Sequence, residues 1–307
     1  MDEKPQEQHT GEATSALDIS ESVEVPSSWL PSPQQKWAHS TCSKKDLCAA
    51  LNDASVTALE ADVLLGYHTV GDSLTVDSSS KQAIMAHPPS TTSDLTLNEF
   101  LSQPNLKRII KLDLKQVEVV KPALDCLQDT LKSRYNHVDP STAATAENQP
   151  MTIFFNADVL PGPGKRDQEA TVNAHQFLSG VLNHACHDWK PCTHVDVLRF
   201  AFSLGWSVDA KSFSGYSNED VQQMMSLIVA YDLFQKSAGV VLAVNARVLG
   251  MSDLSVFQRI LSRYPTQLLV WTGVGEPPIP QSLVRHLKLH FEKHGFIDRI
   301  GFDCSVS

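Results

Sequence analysis

The stretch Ile84-Met85-Ala86-His87-Pro88-Pro89 ends an apolar, strand-like run with a histidine, and three other stretches have a similar design. They are Trp37-Ala38-His39, Glu60-Ala61-Asp62 and Asp113-Leu114-Lys115. Burying such polar side chains costs free energy unless a metal ion or hydrogen bonds compensate. The four stretches therefore predict a site built on strand ends, with the side chains that metal-assisted phosphodiester chemistry uses.

Apolar runs of strand length recur along the chain, and a polar stretch or a helical pattern such as Ser43–Asn52 or Asn218–Phe234 follows each of them. Eight strands alternating with helices are typical of a (β/α)8 TIM-type barrel, which belongs to the α/β class. Segments Ser73–Val76 and Ala83–His87 are predicted to form a hairpin excursion after the second strand. The predicted barrel strands are Gln35–Thr41, Ala58–Leu65, Arg108–Leu114, Thr152–Asp158, Val197–Leu204, Gly239–Asn245, Gln267–Val274 and Ile297–Phe302.

An open, doubly wound sheet would show the same alternation of strands and helices. Polar groups, however, end many different runs, as His39, Asp62, Asp113, Asn156 and Asn245 do. In barrel enzymes the catalytic residues come from several strand ends around one face. This pattern favours a barrel, formed by residues 34–307 as a single domain.

The composition of the chain indicates which kinds of partner are disfavoured and where the protein is expected to be located. Residues 1–33 are mostly Glu, Asp, Ser, Gln and Pro, and we predict a disordered acidic tail that folding does not need. A net charge of −10 disfavours a nucleic-acid partner, which requires a basic footprint. We see neither a signal-peptide pattern nor an apolar run close to the roughly 18 residues of a membrane span, so the expectation is a cytoplasmic protein.

Three carboxylates form a candidate metal site. Glu60 and Asp62 are two residues apart on one strand, so their side chains share a face, and Asp113 would complete the group. Oxygen ligands favour a hard divalent cation, either Mg²⁺ or Ca²⁺. Backbone hydrogen bonds in the barrel interior could also hold the carboxylates without an ion, and the sequence leaves both interpretations open.

Basic residues accompany the carboxylates. Lys111 and Lys115 lie on the same face as Asp113. They could balance its charge or neutralise a phosphate oxygen in the transition state. Lys115 is the candidate for the catalytic role. A structural salt-bridge ladder would explain the same spacing. His39 and His87 are candidates for the acid and the base of phosphodiester cleavage, although a single histidine at such a place is more often structural.

Four residues are candidates for substrate binding. Asn156 and Asp158 end the fourth strand before a Pro/Gly loop, Lys111 faces the same interior, and Trp271 offers an aromatic wall for a headgroup. A tight connection without a ligand and a core tryptophan are the alternatives. The expected ligand is a phosphodiester or lysophospholipid-like small molecule.

At these residues the chain resembles the menorin family, the family-with-sequence-similarity-151 proteins, over nearly its whole length after the tail. Without a signal peptide or a membrane anchor, it looks more like the short B-type members than the A-type. The matching strings are Trp37-Ala38-His39 with Ser43-Lys44, Glu60 to Leu64, Ile84 to Pro89 with Ser93-Asp94 and Leu97, Ile110 to Lys115, Asn156 to Gly162, Gly205-Trp206 and Trp271 to Gly273.

The menorin family is similar in turn to the phospholipase C-like phosphodiesterase superfamily. That resemblance implies catalytic roles for His39, His87 and Lys115, and metal-binding roles for Glu60, Asp62 and Asp113. Two positions differ from the glycerophosphodiester phosphodiesterases. Ser40 follows the first histidine where those enzymes have an arginine that contacts phosphate, and Pro88 follows the second histidine where they have an aspartate.

The resemblance also implies biological roles. The family is associated with adhesion complexes that pattern neuronal dendrites, and its B-type members with photoreceptor maintenance. Two hypotheses follow. The first is a metal-dependent phosphodiesterase or phospholipase-D-like lyase; the second is a non-catalytic binding protein with partners in adhesion complexes, which keeps the charged cluster for stability.

Overall fold

A computed structural model describes residues 31–70, 75–76, 80–103, 106, 108–135, 151–187 and 198–307. The predicted acidic tail therefore lies almost wholly outside the described residues. The strands are β1 (Trp37–Ala38), β2 (Ala58–Val70), β3 (Thr75–Val76), β4 (Gln82–Met85), β5 (Thr92–Ser93), β6 (Ile109–Leu114), β7 (Met151–Pro161), β8 (Leu198–Ser207), β9 (Gly239–Asn245), β10 (Thr266–Trp271) and β11 (Ile300–Asp303).

Eight strands run parallel in the order β1-β2-β6-β7-β8-β9-β10-β11. Each pairs with the next one along the chain, as repeated β–α–β units require. The sheet curls into a nearly closed barrel, so the prediction of a TIM-type barrel is confirmed. Its register sets Glu60 beside Lys111 and Asp62 beside Asp113 on the β2–β6 pair.

The excursion after the second strand folds back onto that strand. β2 continues to Val70, beyond its predicted end, and the described strands β3 and β4 both pair with it in antiparallel orientation, while β5 pairs in parallel. A small buried cluster of Leu64, Ile84 and Ala86 supplies an apolar reason for this return. The excursion thereby brings His87 back towards the barrel.

Several helices begin at a residue whose side chain caps them, such as Ser43, Thr96 and Ser217. Ser43, the first residue of the predicted helix Ser43–Asn52, accepts a hydrogen bond from the Asp46 amide at the start of α1. The predicted helix Asn218–Phe234 is divided at Asp232, whose φ of 56° interrupts it. The short α7 was not predicted. The α-helices are α1 (Lys44–Asn52), α2 (Leu97–Leu101), α3 (Val120–Tyr135), α4 (Ala174–His187), α5 (Asn218–Ala230), α6 (Leu233–Lys236), α7 (Ala246–Gly250), α8 (Leu254–Arg263) and α9 (Gln281–Lys293).

Among the described helices, none combines the length and the apolar character that crossing a bilayer requires.

The barrel interior has an apolar floor under a polar layer. Phe154, Ala201, Val241 and Leu269, from four successive parallel strands, pack into one buried cluster that we call the apolar floor. Side chains two residues apart on a strand share a face, so Asn156 lies in the next layer towards the carboxyl ends. The floor excludes water beneath that layer, which lowers the local dielectric and strengthens interactions among the charges above it.

Candidate active site

A cavity of about 400 Å³ lies at the carboxyl ends of the barrel strands. All ten residues predicted for the site line it: His39, Glu60, Asp62, His87, Lys111, Asp113, Lys115, Asn156, Asp158 and Trp271. Its other lining residues were not predicted, and they are Lys165, Val208, Gly273, Val274 and Glu276.

Three buried carboxylates converge in this cavity. Glu60, Asp62 and Asp113 each offer an oxygen, and these oxygens lie within 4.8 Å of one another. Leu59 and Ala61 alternate with Glu60 and Asp62 along the strand and belong to the large apolar core. The spacing and the oxygen chemistry suit a hard divalent cation with ligands at ~2.0–2.6 Å.

Two lysines cross-link the same carboxylates. Lys115 Nζ lies 2.9 Å from Asp62 Oδ1 and 2.6 Å from Asp113 Oδ2. Lys111 Nζ lies 3.4 Å from Glu60 Oε1 and 3.8 Å from Asp113 Oδ2. Both lysines therefore balance acidic charge, and the ladder of ion pairs that the sequence left open as an alternative is present at the same place as the candidate cation site.

Asn156 is oriented by a serine that sequence reasoning missed. Ser203 Oγ donates to Asn156 Oδ1 at 2.6 Å, so the amide nitrogen is directed to Asp113, to which it donates a hydrogen bond. The sequence signal was a lone hydroxyl between Phe202 and Leu204 in an apolar strand. Asn156 therefore helps to hold Asp113 as well as lining the cavity.

His39 is positioned by Asp303, a second residue that sequence reasoning missed. His39 Nδ1 lies 2.8 Å from Asp303 Oδ2 and 3.6 Å from Glu60 Oε2. Ser40 adopts a left-handed φ of 55°, and its amide donates to Glu60 Oε2 at 2.7 Å. Because Nδ1 is engaged, Nε2 is the ring atom left for a ligand. The only signal for Asp303 was an acidic residue at the end of the last apolar run.

Residues on opposite sides of the barrel form the rim of the cavity. His87 is exposed on the loop that follows β4. Asp158 lies within β7, which continues to Pro161 beyond its predicted end, and it faces Gly205, where an added Cβ would overlap the Asp158 carboxylate. On the opposite side, Asn245 Nδ2 donates to Glu276 Oε1 at 3.0 Å, and Trp271 ends β10. The deep carboxylates thus lie below a rim that a ligand can reach.

Neighbouring cations keep two of the buried carboxylates ionised. Burial alone would raise the pKa of Glu60, but Lys111 and His39 hold it below its usual range. Burial likewise opposes ionisation of Asp113, yet Lys115 and Lys111 outweigh it and lower the pKa to about 2. These two carboxylates are therefore charged at neutral pH.

The other two carboxylates, Asp62 and Asp158, have raised pKa values because burial and acidic neighbours both oppose their ionisation. Burial and the nearby Glu60 raise the pKa of Asp62 to about 6. Burial and the nearby Asp113 raise the pKa of Asp158 to about 7. A further positive charge among these groups would relieve their repulsion, which is the electrostatic condition that a divalent cation meets.

Stability should depend on pH in the metal-free protein. Burial opposes protonation of His39, but Asp303 and Glu60 raise its pKa from 6.5 to about 9. A group whose pKa is raised on folding binds its proton more tightly in the folded state, so stability increases as the pH falls through that window. We therefore expect the free energy of unfolding, measured with urea in EDTA, to rise from about pH 9 to about pH 6.

The raised pKa values of Asp62 and Asp158 act in the same direction below about pH 7. Asp303→Asn should reduce the part of the rise above about pH 7, because His39 loses its charged partner. A free energy of unfolding that stays flat, or that falls as the pH is lowered from about 9 to 6, would contradict the described ion pairs.

Comparison with known proteins places these residues in a wider group. Residues 34–298 match the sequence model of the Menorin N-terminal domain. The human Protein FAM151B is 28% identical over 261 residues, which cover 84% of this chain and 79% of that protein. The family match spans all ten predicted site residues and ends before Asp303.

Proposed function

Because the chain belongs to the menorin family, we propose that its cavity is a metal-dependent phosphodiesterase or phospholipase-D-like site for phosphodiester or lysophospholipid-like small molecules. One observation carries the proposal: two histidines and three convergent carboxylates line a single cavity at the carboxyl ends of the strands. Active sites of parallel barrels occupy that face. Similarity to a family does not by itself assign a reaction, so the proposal depends on this geometry.

Glu60, Asp62 and Asp113 would hold Mg²⁺ or Ca²⁺ in this proposal. The donor set fits because all three ligands are carboxylate oxygens, and a cation would relieve the repulsion from Glu60 that adds to burial in raising the pKa of Asp62. When bound, the cation would supply positive charge for the phosphate oxygens. Lys115 adds a second positive charge beside the same two aspartates.

The two histidines move the protons. His39 is the proton donor, because Asp303 and Glu60 favour its charged form, and it protonates the leaving oxygen as the bond from that oxygen to phosphorus breaks. His87 is the base that removes the proton from the attacking oxygen as the new bond to phosphorus forms. A water as the attacking group gives hydrolysis, and a hydroxyl of the substrate gives the lyase reaction.

The second candidate function is a non-catalytic binding protein. Lys111 and Lys115 already pair with Glu60, Asp62 and Asp113, which favours a barrel interior that needs no ion. In that case the cluster stabilises the fold, and the surface serves partners such as those of adhesion complexes.

A titration of divalent cations tests the proposed function. Protein stripped with EDTA is titrated with Mg²⁺ and with Ca²⁺ in a calorimeter, alongside Asp62→Ala and the matched control Glu276→Gln. Glu276 also lines the cavity but lies outside the three convergent carboxylates. We expect one cation per chain in the parent and the control and none in Asp62→Ala, whose circular dichroism should remain that of a folded barrel.

Turnover is then sought with the cation-loaded protein. Lysophospholipids, glycerophosphodiesters and cyclic phosphodiesters are incubated with Mg²⁺, and the products are followed by ³¹P NMR. Conversion of one class, lost in Asp62→Ala, supports the proposal. Absence of both cation binding and turnover would overturn it and leave the binding protein as the better interpretation.

A further inference from the structure

Three lysines line the cavity, and they differ in their partners. Lys111 and Lys115 each contact two carboxylates. For Lys165, by contrast, the described residues place no carboxylate oxygen within 4.0 Å of the ammonium group, and its side chain forms no hydrogen bond with them. The charge of Lys165 is therefore available for an anion that enters from outside.

The loop that carries Lys165 is fixed by backbone hydrogen bonds. The Gly162 amide donates to the Ser207 carbonyl, the Asp209 amide donates to the Pro163 carbonyl, and the Lys165 amide donates to the Gly162 carbonyl, all at 2.9 Å. Gly164 has a φ of 79°, which allows the turn immediately before Lys165. The backbone of Lys165 thus has a defined position at the rim of the cavity.

The next residue anchors the same loop on the outside of the barrel. Arg166 donates from Nε to Asp220 Oδ1 at 3.0 Å and from Nη2 to Asp220 Oδ2 at 2.7 Å. A bidentate pair of this kind has a fixed geometry, whereas a lysine keeps a flexible four-carbon stem. The adjacent cations therefore differ in role: Arg166 holds the loop against α5, and Lys165 keeps its reach into the cavity.

The charges beside Lys165 suit a phosphate better than those deeper in the cavity. Without a bound cation, a phosphate near Glu60 or Asp113 meets ionised carboxylates. Asp158 lines the cavity as well, and burial together with Asp113 opposes ionisation of its carboxyl group and raises its pKa. Lys165 acts electrostatically on this same carboxyl group, so the two groups lie on the same side of the cavity.

We propose that Lys165 binds a non-bridging oxygen of the ligand's phosphate group and is the residue that admits an anion to this acidic cavity. The inference rests on the proposed function, because it assumes that the same cavity receives a phosphodiester. It goes further by assigning phosphate recognition to a residue of the β7–α4 loop, which supplies neither of the two histidines and none of the three proposed metal ligands.

Phosphate binding in the presence of Mg²⁺ tests the proposal. Inorganic phosphate is titrated into the parent protein, Lys165→Ala, Lys165→Arg and the matched control Lys211→Ala, with ³¹P NMR as the readout. Lys211 is an exposed lysine on the neighbouring β8–α5 loop and does not line the cavity. We expect Lys165→Ala to weaken phosphate binding by about tenfold or more, since a charge-assisted hydrogen bond is lost. Lys165→Arg should retain most of the affinity, and Lys211→Ala should retain all of it.

Two further measurements separate the possible outcomes. The affinity for Mg²⁺ should be the same in Lys165→Ala as in the parent, because Lys165 is not a proposed metal ligand. A parent protein that binds no cation therefore overturns the proposed function but not the role of Lys165. Vesicles of phosphatidylglycerol replace inorganic phosphate in a second arm: tighter, Lys165-dependent binding to vesicles assigns a lipid source, and dependence with phosphate alone assigns a soluble one. Equal phosphate binding by the parent and Lys165→Ala, or no phosphate binding by the parent, overturns the proposal.

Discussion

Replacement of His39 or His87 by alanine is expected to lower turnover of a confirmed phosphodiester substrate by two or more orders of magnitude. General acid or base catalysis contributes roughly 10²–10⁴-fold, and each histidine supplies one of these functions in the proposed mechanism. The quantity to measure is kcat for each variant with saturating Mg²⁺. His286→Ala is the control, because this histidine is exposed on α9 and does not line the cavity.

Cation binding distinguishes a catalytic role of the histidines from a structural one. The proposed ligands are carboxylates, so both histidine variants should bind Mg²⁺ with parental affinity. Loss of His39 leaves Asp303 beside Glu60 without the ring between them, and the free energy of unfolding of that variant must be measured in parallel. If turnover survives His39→Ala and His87→Ala alike, the mechanism is wrong and the binding protein is the better interpretation.

The barrel could be predicted because its pattern is local. Each parallel strand is a short apolar run, and β9 has the predicted bounds Gly239–Asn245. The bounds failed where pairing depends on distant residues. β1 is shorter than predicted, because only Trp37 and Ala38 pair with β2. β2 is longer than predicted, because the excursion returns to pair with it.

Ten of the residues that line the cavity could be predicted for a related reason. A carboxylate or a histidine inside an apolar strand is costly, so its presence in an apolar run is itself the signal of a site. The partners of these residues could not be predicted. Asp303 lies 264 residues from His39 along the chain, and only the near-closure of the barrel brings the first and last strands together. Lys165 resembles any other loop lysine in the sequence, because the pairing that sets Lys111 and Lys115 apart from it depends on the fold.

The second large effect is expected from replacing Lys111. The ion pairs of this residue can distinguish a cation site from a structural ladder of salt bridges. Lys111 is buried, and its ammonium group lies between Glu60 and Asp113. Burial opposes its charge, but those two carboxylates raise its pKa above the usual range. Removing the ammonium leaves buried Glu60 with only the more distant His39 ring and Asp113 with Lys115 alone, and breaking a buried pair in this way is far more costly than losing an exposed one.

Lys111→Met is therefore expected to lower the free energy of unfolding by about 3–5 kcal/mol in EDTA. Lys132→Met is the matched control: its partner Asp129 lies 3.8 Å away on an exposed face of α3, where such a pair contributes about 1 kcal/mol or less. Urea denaturation with and without Mg²⁺ then separates the two interpretations. If the carboxylates bind a cation, Mg²⁺ should restore much of the lost stability, because its charge replaces that of Lys111 beside Glu60 and Asp113. A loss that Mg²⁺ leaves unchanged would identify the cluster as a structural ladder.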